Sequence, residues 1–305
     1  MKVGIIGTGV MGQNHARIYS ELKGVDELYV FDINTKAAER VAAKNYAQVA
    51  PTLENLLDNV DAVSCCVPTP HHFELGKTIV ERGIHLLMEK PICGSVKEGE
   101  KLVEIVPKGT VFGVGHIERF NPIVEEISRI IKNPLYVEFK RHNPDSARVV
   151  GSSVVEDLMI HDLDIALHKL FKGQHYSVQS SLTDKIATAL LNFNSTIVYF
   201  SASMKASKKT RSLYVEQEES TIIGDFMTQE VYVYWKPENY RVEDERYVQE
   251  NIIEKILVNK TEPLKKELSE FLEAIKKSTE FPVTPKQALM NLELCEQILQ
   301  ANSKV

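Results

Sequence analysis

The segment EDLMIHDLDIALHKL, residues 156–170, carries four titratable side chains at helical spacing. At about 100° per residue in an α-helix, Asp157, His161, Asp164 and His168 fall within one arc of roughly 60°. Carboxylates and imidazoles arranged in this way can ligate a metal ion or exchange protons with a bound substrate. They can equally form the polar side of a core helix. This segment alone leaves all three interpretations open.

The rest of the same segment bears on the metal interpretation. Asp162 and Lys169 share a separate arc, at about 120–140° from the first, and we expect them to mark the solvent side of the helix. A metal site needs further ligands, but the sequence has no HExxH motif and no other evident ligand cluster. We therefore predict that no metal is bound here.

The bulk composition indicates a globular chain of about two domains. The chain has 305 residues, of which 43% are apolar, and a net charge of −6. No basic footprint for nucleic acid is evident, and no apolar run approaches the roughly 18 residues that span a bilayer. The four cysteines form no CxxC motif, which favours reduced thiols. We expect a cytoplasmic protein without nucleic-acid or membrane partners.

Residues 2–115 alternate apolar, β-rich runs with helical patterns. Helices are expected near 11–22, 35–44, 71–82 and 95–106, and strands at 2–7, 27–32, 62–67, 85–89 and 111–115. Nearly continuous hydrophobicity is typical of strands that are buried on both faces, as in a parallel sheet. The pattern predicts a doubly wound α/β domain over residues 1–120.

The alternation of strands and helices ends after a helix near 121–134. Strands follow one another with few helices between them, at 135–142, 185–193, 196–204, 211–219, 220–225 and 230–235. Asn194-Ser195 is a plausible hairpin turn, and helices near 261–277 and 285–302 close the chain. We expect an antiparallel or mixed sheet in a second domain over residues 121–305, whose last helix can pack back on the first domain.

A glycine motif follows the first strand and opens the first helix. GTGVMG places Gly7, Gly9 and Gly12 in a GxGxxG pattern, which suits a tight turn, close approach to a pyrophosphate and tight helix–strand packing. The next strand ends in Asp32, whose carboxylate can accept hydrogen bonds from both ribose hydroxyls and repels a 2′-phosphate. The sequence therefore predicts NAD rather than NADP. The remaining predicted cofactor contacts in this loop are Thr8, Val10 and Met11.

The run PTPHH, residues 68–72, follows the strand predicted at 62–67. It lies at the carboxyl edge of the sheet, where α/β folds bind ligands. Pro68 and Thr69 are predicted to line the cofactor site. His72 either approaches the cofactor or caps the following helix.

A further strand ends in EKP, residues 89–91, at the same predicted edge. With this motif the chain resembles the glucose–fructose oxidoreductase and inositol dehydrogenase (Gfo/Idh/MocA) family. The resemblance covers essentially the whole chain. It is carried by GTGVMG, Asp32, PTPHH, EKP, GHIERFNP at 115–122 and the spacing of Asp157 and His161.

The resemblance implies a Rossmann domain and an α/β domain with an open, mostly antiparallel sheet whose outer face forms a homo-oligomer interface. It implies a nicotinamide-dependent oxidoreductase acting on a secondary hydroxyl of a sugar or cyclitol. Lys90 would be the active-site lysine, His161 the acid/base group and Asp157 its helper or a substrate-hydroxyl acceptor. Glu89 and Lys90 would lie beside the cofactor. Lys90-Pro91 would be a candidate cis peptide.

The chemistry calls for these residue types independently. Oxidising a carbinol needs a base for the hydroxyl proton while a hydride leaves for the nicotinamide, and histidine suits that role near pH 7. A lysine at the reacting oxygen stabilises developing negative charge. Asp164 and His168 lie outside the family pattern, and we expect them to form hydrogen bonds within the fold.

The substrate is the least constrained part of the prediction. His116, Arg119 and Asn121 lie where the first domain passes into the second, and ligands often bind at domain interfaces. Arg119 has an alternative role in an interdomain salt bridge. A basic cluster is either a diphosphate contact or a solvated loop; it comprises Lys205, Lys208, Lys209 and Arg211.

The form of GHIERFNP resembles family members that act on nucleotide sugars. It implies oxidation at C3 of a UDP-N-acetylhexosamine, with an aminotransferase as a partner that consumes the keto product. A dehydrogenase of inositol or a free sugar is the alternative within the family. A non-catalytic NAD-binding sensor is the alternative of another class, although it predicts loss of Lys90 or His161, and both are present.

Overall fold

The computed structural model describes residues 1–144, 153–237, 240–243, 246–249 and 251–301. The chain divides into two compact units. The first contains residues 1–120 and 262–293, and the second contains 121–261 and 294–305. Residues 262–293 pack with the first unit, because apolar side chains such as Leu268, Phe271 and Leu292 join its core. The sequence pattern placed this segment in the second domain and allowed only the last helix to pack back on the first.

The first unit is built around a six-stranded parallel sheet in the order β3-β2-β1-β4-β5-β6. This is the Rossmann order, in which the crevice between β1 and β4 binds ligands at the carboxyl edge. The strands are β1 (Lys2–Ile6), β2 (Glu27–Phe31), β3 (Gln48–Val49), β4 (Ala62–Cys65), β5 (His85–Glu89) and β6 (Phe112–Gly115). The helices are α1 (Val10–Glu21), α2 (Thr35–Asn45), α3 (Leu53–Leu57), α4 (His72–Glu81) and α5 (Val96–Glu104).

The predicted parallel sheet is confirmed, because the strands are buried on both faces as their continuous apolar runs indicated. All four residues of β4 are buried, and so are four of the five in β1. Two elements were missed, β3 and α3. With two and five residues, respectively, they are too short to show a period.

The second unit contains an eight-stranded sheet in the order β16-β13-β12-β11-β7-β10-β9-β8. Its helical segments before residue 200 are α6 (Pro122–Ile130), α7 (Ile160–Ile165) and the two turns that flank α7. The strands are β7 (Tyr136–His142), β8 (Tyr176–Leu182), β9 (Ile186–Phe193), β10 (Thr196–Ser203), β11 (Thr210–Glu216), β12 (Ser220–Asp225), β13 (Glu230–Trp235) and β16 (Ile253–Ile256). A separate antiparallel pair comprises β14 (Tyr240–Glu243) and β15 (Arg246–Gln249).

The second sheet is mixed and mostly antiparallel, as predicted. Only the β7–β10 pair of this sheet is parallel. The turn at Asn194-Ser195 is confirmed, since Phe193 pairs with Thr196 and Asn194 has a φ of 53°. The prediction missed β8, an edge strand whose outward residues are polar, and the three short strands β14 to β16.

Two helices close the described chain, α8 (Pro263–Lys277) and α9 (Pro285–Gln300). Each begins with proline at its first position, where the missing amide donor costs nothing. Over the part of the chain described here, no helix combines the length and the apolar character needed to cross a membrane.

Candidate functional site

The three glycines of GTGVMG have different surroundings. Gly7 has a φ of +88°, and a Cβ on it would lie 2.9 Å from the Cys66 carbonyl. A Cβ on Gly12 would lie 1.9 Å from the Gly7 carbonyl oxygen, so α1 can approach β1 only with glycine here. A Cβ on Gly9 meets nothing within 4 Å. Gly7 and Gly12 thus serve the turn and the packing, whereas the space at Gly9 is open to a ligand.

The first turn of α1 supplies donors for an anion. Gly9 precedes α1, which begins at Val10, and the residues Val10 and Met11 extend the loop into the helix. Unsatisfied amides and the positive end of the helix dipole lie at this terminus. The loop therefore fits the pyrophosphate of a dinucleotide, for which the sequence predicted it.

Asp32 lies directly beside this loop. Its Oδ2 accepts hydrogen bonds from the Thr8 amide at 2.7 Å and from the Thr8 hydroxyl at 2.8 Å. Its Oδ1 accepts from the Asn34 amide at 2.8 Å. The carboxylate is half-buried and fixed at the end of β2, which is where the ribose of a bound dinucleotide would meet it.

Lys90 follows the last residue of β5 at the same carboxyl edge. The Lys90–Pro91 peptide bond is cis, as expected. Lys90 is half-buried, between a buried Glu89 and a buried Pro91. The Glu89 carboxylate accepts a hydrogen bond from the Lys90 amide at 3.3 Å, so this backbone turns tightly around its own acidic side chain.

His72 contacts two backbone carbonyls. Its ring is 1% exposed and does not cap α4. Its Nδ1 lies 2.8 Å from the Pro91 carbonyl oxygen and its Nε2 lies 2.9 Å from the Val67 carbonyl oxygen. Burial lowers the pKa of His72, although both carbonyls oppose that shift. The ring ties the end of β4 to the loop after β5, while Pro68 and Thr69 lie at the surface beside it.

The residues of GHIERFNP are largely buried and bonded within their own units. Arg119 donates to the Pro282 carbonyl at 3.2 Å and to Gln287 Oε1 at 2.7 Å. His116 Nε2 lies 3.3 Å from the Asn291 amide nitrogen. Asn121 donates to the Phe226 carbonyl at 3.1 Å. These contacts favour a structural role for residues that the sequence suggested as substrate ligands.

The helix that carries the titratable stripe is not a regular α-helix. Residues Val155–Met159 and Ala166–Leu170 form π-helical turns on either side of α7. The Phe171 amide, for example, donates to the Ala166 carbonyl five residues back, at 2.8 Å. These wider turns break the 100° spacing on which the single arc depended. Such turns occur frequently at functional sites.

The structure separates the stripe into two pairs. Asp157 and His161 are partly exposed, whereas Asp164 is fully buried and His168 is 9% exposed. The first pair therefore remains accessible to a substrate. The second pair lies within the fold, as its expected structural role requires.

The assignment of Asp162 to the solvent side is wrong. Asp162 is 3% exposed. Its carboxylate accepts hydrogen bonds from Arg141 Nε at 3.0 and 3.1 Å and from Arg141 Nη2 at 2.6 Å. Arg141 is 1% exposed, and its guanidinium lies 5.5 Å from the centre of the Phe226 ring. The pair fastens β7 to the helix segment that carries His161. Only Lys169 of the two predicted solvent residues is exposed.

The basic cluster is mostly a surface loop. Lys205, Lys208 and Lys209 are exposed between β10 and β11, and Arg211 is half-buried on β11 opposite Arg141. Among the described residues, the donor atoms that come together closely enough to consider a cation are those of His15, Cys66 and Glu89. The stripe residues do not form such a group within that described part.

Two features of the site were missed from the sequence, His15 and the Arg141–Asp162 pair. His15 occupies a core-facing position of α1 next to Ala16 and Tyr19, and a histidine at an apolar position was the available signal. Arg141 lies at a position of β7 where Val137 and Phe139 also face the core. A charged residue in phase with buried apolar residues was the available signal there.

Comparison with known proteins places this geometry in a family. The model of the Gfo/Idh/MocA oxidoreductase family, with an NAD-binding Rossmann fold, matches residues 1–116. A UDP-N-acetylglucosamine 3-dehydrogenase from Acidithiobacillus ferrooxidans is 32% identical over 246 residues, or 77% of each protein. The chain belongs to the Gfo/Idh/MocA family. This Gfo/Idh/MocA protein is therefore an oxidoreductase with a dinucleotide-binding Rossmann domain.

Two further comparisons support membership of the Gfo/Idh/MocA family. A solved structure of UDP-N-acetylglucosamine 3-dehydrogenase from Acidithiobacillus ferrooxidans is similar with a TM-score of 0.88, at 27% identity, over 99% of this chain and 97% of that one. Inositol 2-dehydrogenase 4 from Saccharopolyspora erythraea is 30% identical over 176 residues, 54% of this chain and 52% of the relative. The whole Gfo/Idh/MocA fold is thus shared, while relatives differ in the substrates that they are named for.

Proposed function

We propose that this protein is an NAD-dependent dehydrogenase that oxidises a secondary hydroxyl of a nucleotide sugar, at C3 of a UDP-N-acetylhexosamine. The observation that carries the proposal is the carboxyl edge of the parallel sheet. There the open glycine loop, the fixed carboxylate of Asp32 and the anchored Lys90 follow three strands of one sheet. The substrate class is supported by the relative at 32% identity.

The proposed mechanism assigns one task to each polar side chain. A bound NAD supplies the hydride acceptor. His161, which is partly exposed, accepts the proton of the substrate hydroxyl, a role that suits histidine in general. Lys90 donates a hydrogen bond to the same oxygen and stabilises its developing negative charge. Asp157, one turn before His161, accepts hydrogen bonds from neighbouring substrate hydroxyls and orients the sugar.

We expect Asp32 to set the choice of cofactor. In Asp32→Asn the carboxylate that binds the ribose hydroxyls and repels a 2′-phosphate is lost. The ratio of kcat/KM for NAD to that for NADP should fall by about 10–100-fold, since a hydrogen bond to a charged group contributes roughly 1.5–3 kcal/mol. Initial rates with both cofactors measure it. Glu39→Gln, an exposed acid on the neighbouring helix α2, is the control and should leave the ratio unchanged.

The substrate is tested by incubating the purified protein with NAD and UDP-N-acetylglucosamine and following NADH at 340 nm. An aminotransferase with its amino donor pulls the ketone forward, and NADH should accumulate in proportion to the sugar consumed. N-acetylglucosamine without the nucleotide and myo-inositol are parallel arms. No NADH from the nucleotide sugar, even with the coupled enzyme, rules out this substrate.

An inositol dehydrogenase is the second candidate, favoured by the relative named inositol 2-dehydrogenase 4. Turnover of myo-inositol together with inactivity towards the nucleotide sugar would establish it instead. NAD binding without turnover of any of the three tested compounds would favour a non-catalytic NAD-binding sensor.

A further inference from the structure

We propose that His15 is a positioning residue for Lys90, acting through the Glu89 carboxylate. The inference rests on the proposed function, in which Lys90 touches the substrate oxygen. His15 lies on α1, in the helix that the glycine loop opens, and Glu89 is the last residue of β5. The contact between them joins the cofactor loop's helix to the lysine's strand.

The position of His15 in α1 calls for an explanation. The inner face of α1 carries Gly12, His15, Ala16 and Tyr19, and His15 is completely buried. Burying a polar ring costs free energy unless it forms hydrogen bonds. Its Nε2 lies 3.0 Å from Glu89 Oε1, and its Nδ1 has no hydrogen-bond partner among the described residues. The contact with Glu89 is therefore the polar interaction that offsets the cost of burying this ring.

The Glu89 carboxylate is held from three directions. His15 binds Oε1, the Lys90 amide donates to Oε2 at 3.3 Å, and Gly115 of β6 lies opposite Glu89 in the sheet. A Cβ on Gly115 would already lie 3.3 Å from the carboxylate atoms. The space for the carboxylate therefore exists because position 115 is glycine, and the group has little freedom to turn away from Lys90.

Glu89 is ionised in this position. Burial raises the pKa of its carboxyl, but the hydrogen bond and interaction with His15 and the positive charge of Lys90 outweigh burial and lower that pKa. A carboxylate can only accept, so His15 donates its Nε2 proton. Loss of that donor leaves a buried carboxylate with one partner fewer, and the carboxylate must then rotate towards water or take up a proton.

Lys90 is consequently fixed through both of its chain neighbours. Glu89 is anchored to α1 by His15, and the Pro91 carbonyl is anchored by His72. A misplacement of a reacting group by about 1 Å can cost on the order of 10²-fold in rate. His15 therefore acts on turnover without touching the substrate.

The same three side chains have the atom types of a cation site. The donor atoms of His15, Cys66 and Glu89 lie within 4.8 Å of one another. However, the direct bond between His15 and Glu89 at 3.0 Å uses the atoms that would ligate an ion. Burial and the charge of Glu89 also raise the pKa of the Cys66 thiol, which disfavours the thiolate that a metal needs. The hydrogen-bonded arrangement explains these contacts without an ion.

The test compares His15→Leu, His15→Gln and Tyr19→Phe. Leucine removes the donor, whereas glutamine carries an amide donor at a similar reach. Tyr19→Phe is the matched control, because it removes another buried hydrogen bond of α1, that to Ser64 at 2.8 Å. We expect kcat to fall about 10–100-fold in His15→Leu, while KM for NAD stays within about twofold of the wild-type value. In His15→Gln, kcat should be about tenfold higher than in His15→Leu, or equal to the wild-type value where the loss in His15→Leu is tenfold or less. In Tyr19→Phe, kcat should equal that of the wild type.

A second measurement does not depend on the substrate. The rate at which trinitrobenzenesulfonate modifies Lys90 is mapped by mass spectrometry in the presence of NAD. It should change at least threefold in His15→Leu and in Glu89→Gln, while exposed Lys97 keeps its rate. An unchanged rate of Lys90 modification in His15→Leu overturns the inference, whatever the rate in Glu89→Gln. If the wild-type protein turns over none of the sugars, the proposed function fails, and the modification rates still decide whether His15 positions Lys90.

Discussion

Lys90→Ala is expected to lower kcat by about 10²–10⁴-fold while the protein still binds NAD. This is the usual range for the loss of a side chain that acts on a proton or charge in the transition state. In the proposed function the glycine loop and Asp32 bind parts of the dinucleotide other than the part beside Lys90, so NAD binding should change little. Stopped-flow hydride transfer and a fluorescence titration with NADH measure the two quantities separately.

Lys97→Ala is the matched control for this substitution. Lys97 is exposed on α5, seven residues further along the chain than Lys90. Its substitution removes the same charge but leaves the carboxyl edge of the sheet unchanged. Its kcat should equal that of the wild type. Retention of more than a tenth of wild-type kcat in Lys90→Ala would contradict the mechanism proposed for Lys90.

Asp162→Asn and Arg141→Met should each lower the free energy of unfolding of the second unit by about 3–5 kcal/mol. Removing one partner of a buried ion pair leaves the other charge buried without compensation, which has this typical cost. The two residues are 3% and 1% exposed. Urea denaturation followed by tryptophan fluorescence isolates the effect, because the chain's single tryptophan, Trp235, lies on β13 of this unit.

An exposed pair of the same residue types is the control. Arg82 and Asp58 lie 3.1 Å apart with side chains 38% and 70% exposed. Asp58→Asn should change stability by no more than about 1 kcal/mol. The double variant Arg141→Met/Asp162→Leu should be less destabilised than either single variant, because it leaves no buried charge. Equal losses of unfolding free energy in Asp162→Asn and Asp58→Asn would show that the buried pair contributes no more to stability than the exposed pair.

The parallel sheet and the cofactor loop could be predicted because local sequence determines both. A strand that is buried on both faces has to be apolar throughout, and the clash of a Cβ at Gly12 with the Gly7 carbonyl is a contact within six residues of chain. Both of these inferences needed only neighbouring residues. The cis bond before Pro91 was expected from the family resemblance that EKP helps to carry, and it is confirmed.

The polar helix could not be predicted in the same way. The helical wheel assumes 100° per residue, and the π-turns at Val155–Met159 and Ala166–Leu170 change that angle. Asp162 was misplaced for a second reason, since its partner Arg141 lies 21 residues earlier on a strand. A charge is buried only where tertiary structure supplies its counter-charge, and no spacing rule within one helix contains that information. His72 similarly binds two carbonyls that the fold brings to it.

The different surroundings of the three loop glycines have an evolutionary consequence. Gly7 and Gly12 are required by the chain's own backbone, so a descendant that lost its dinucleotide would still have to keep both in order to fold. A Cβ on Gly9 would meet nothing within 4 Å, so selection against a side chain there acts only through whatever occupies that space. In a lineage of this protein, drift at position 9 would therefore mark the loss of the nucleotide before any change in the glycines on either side.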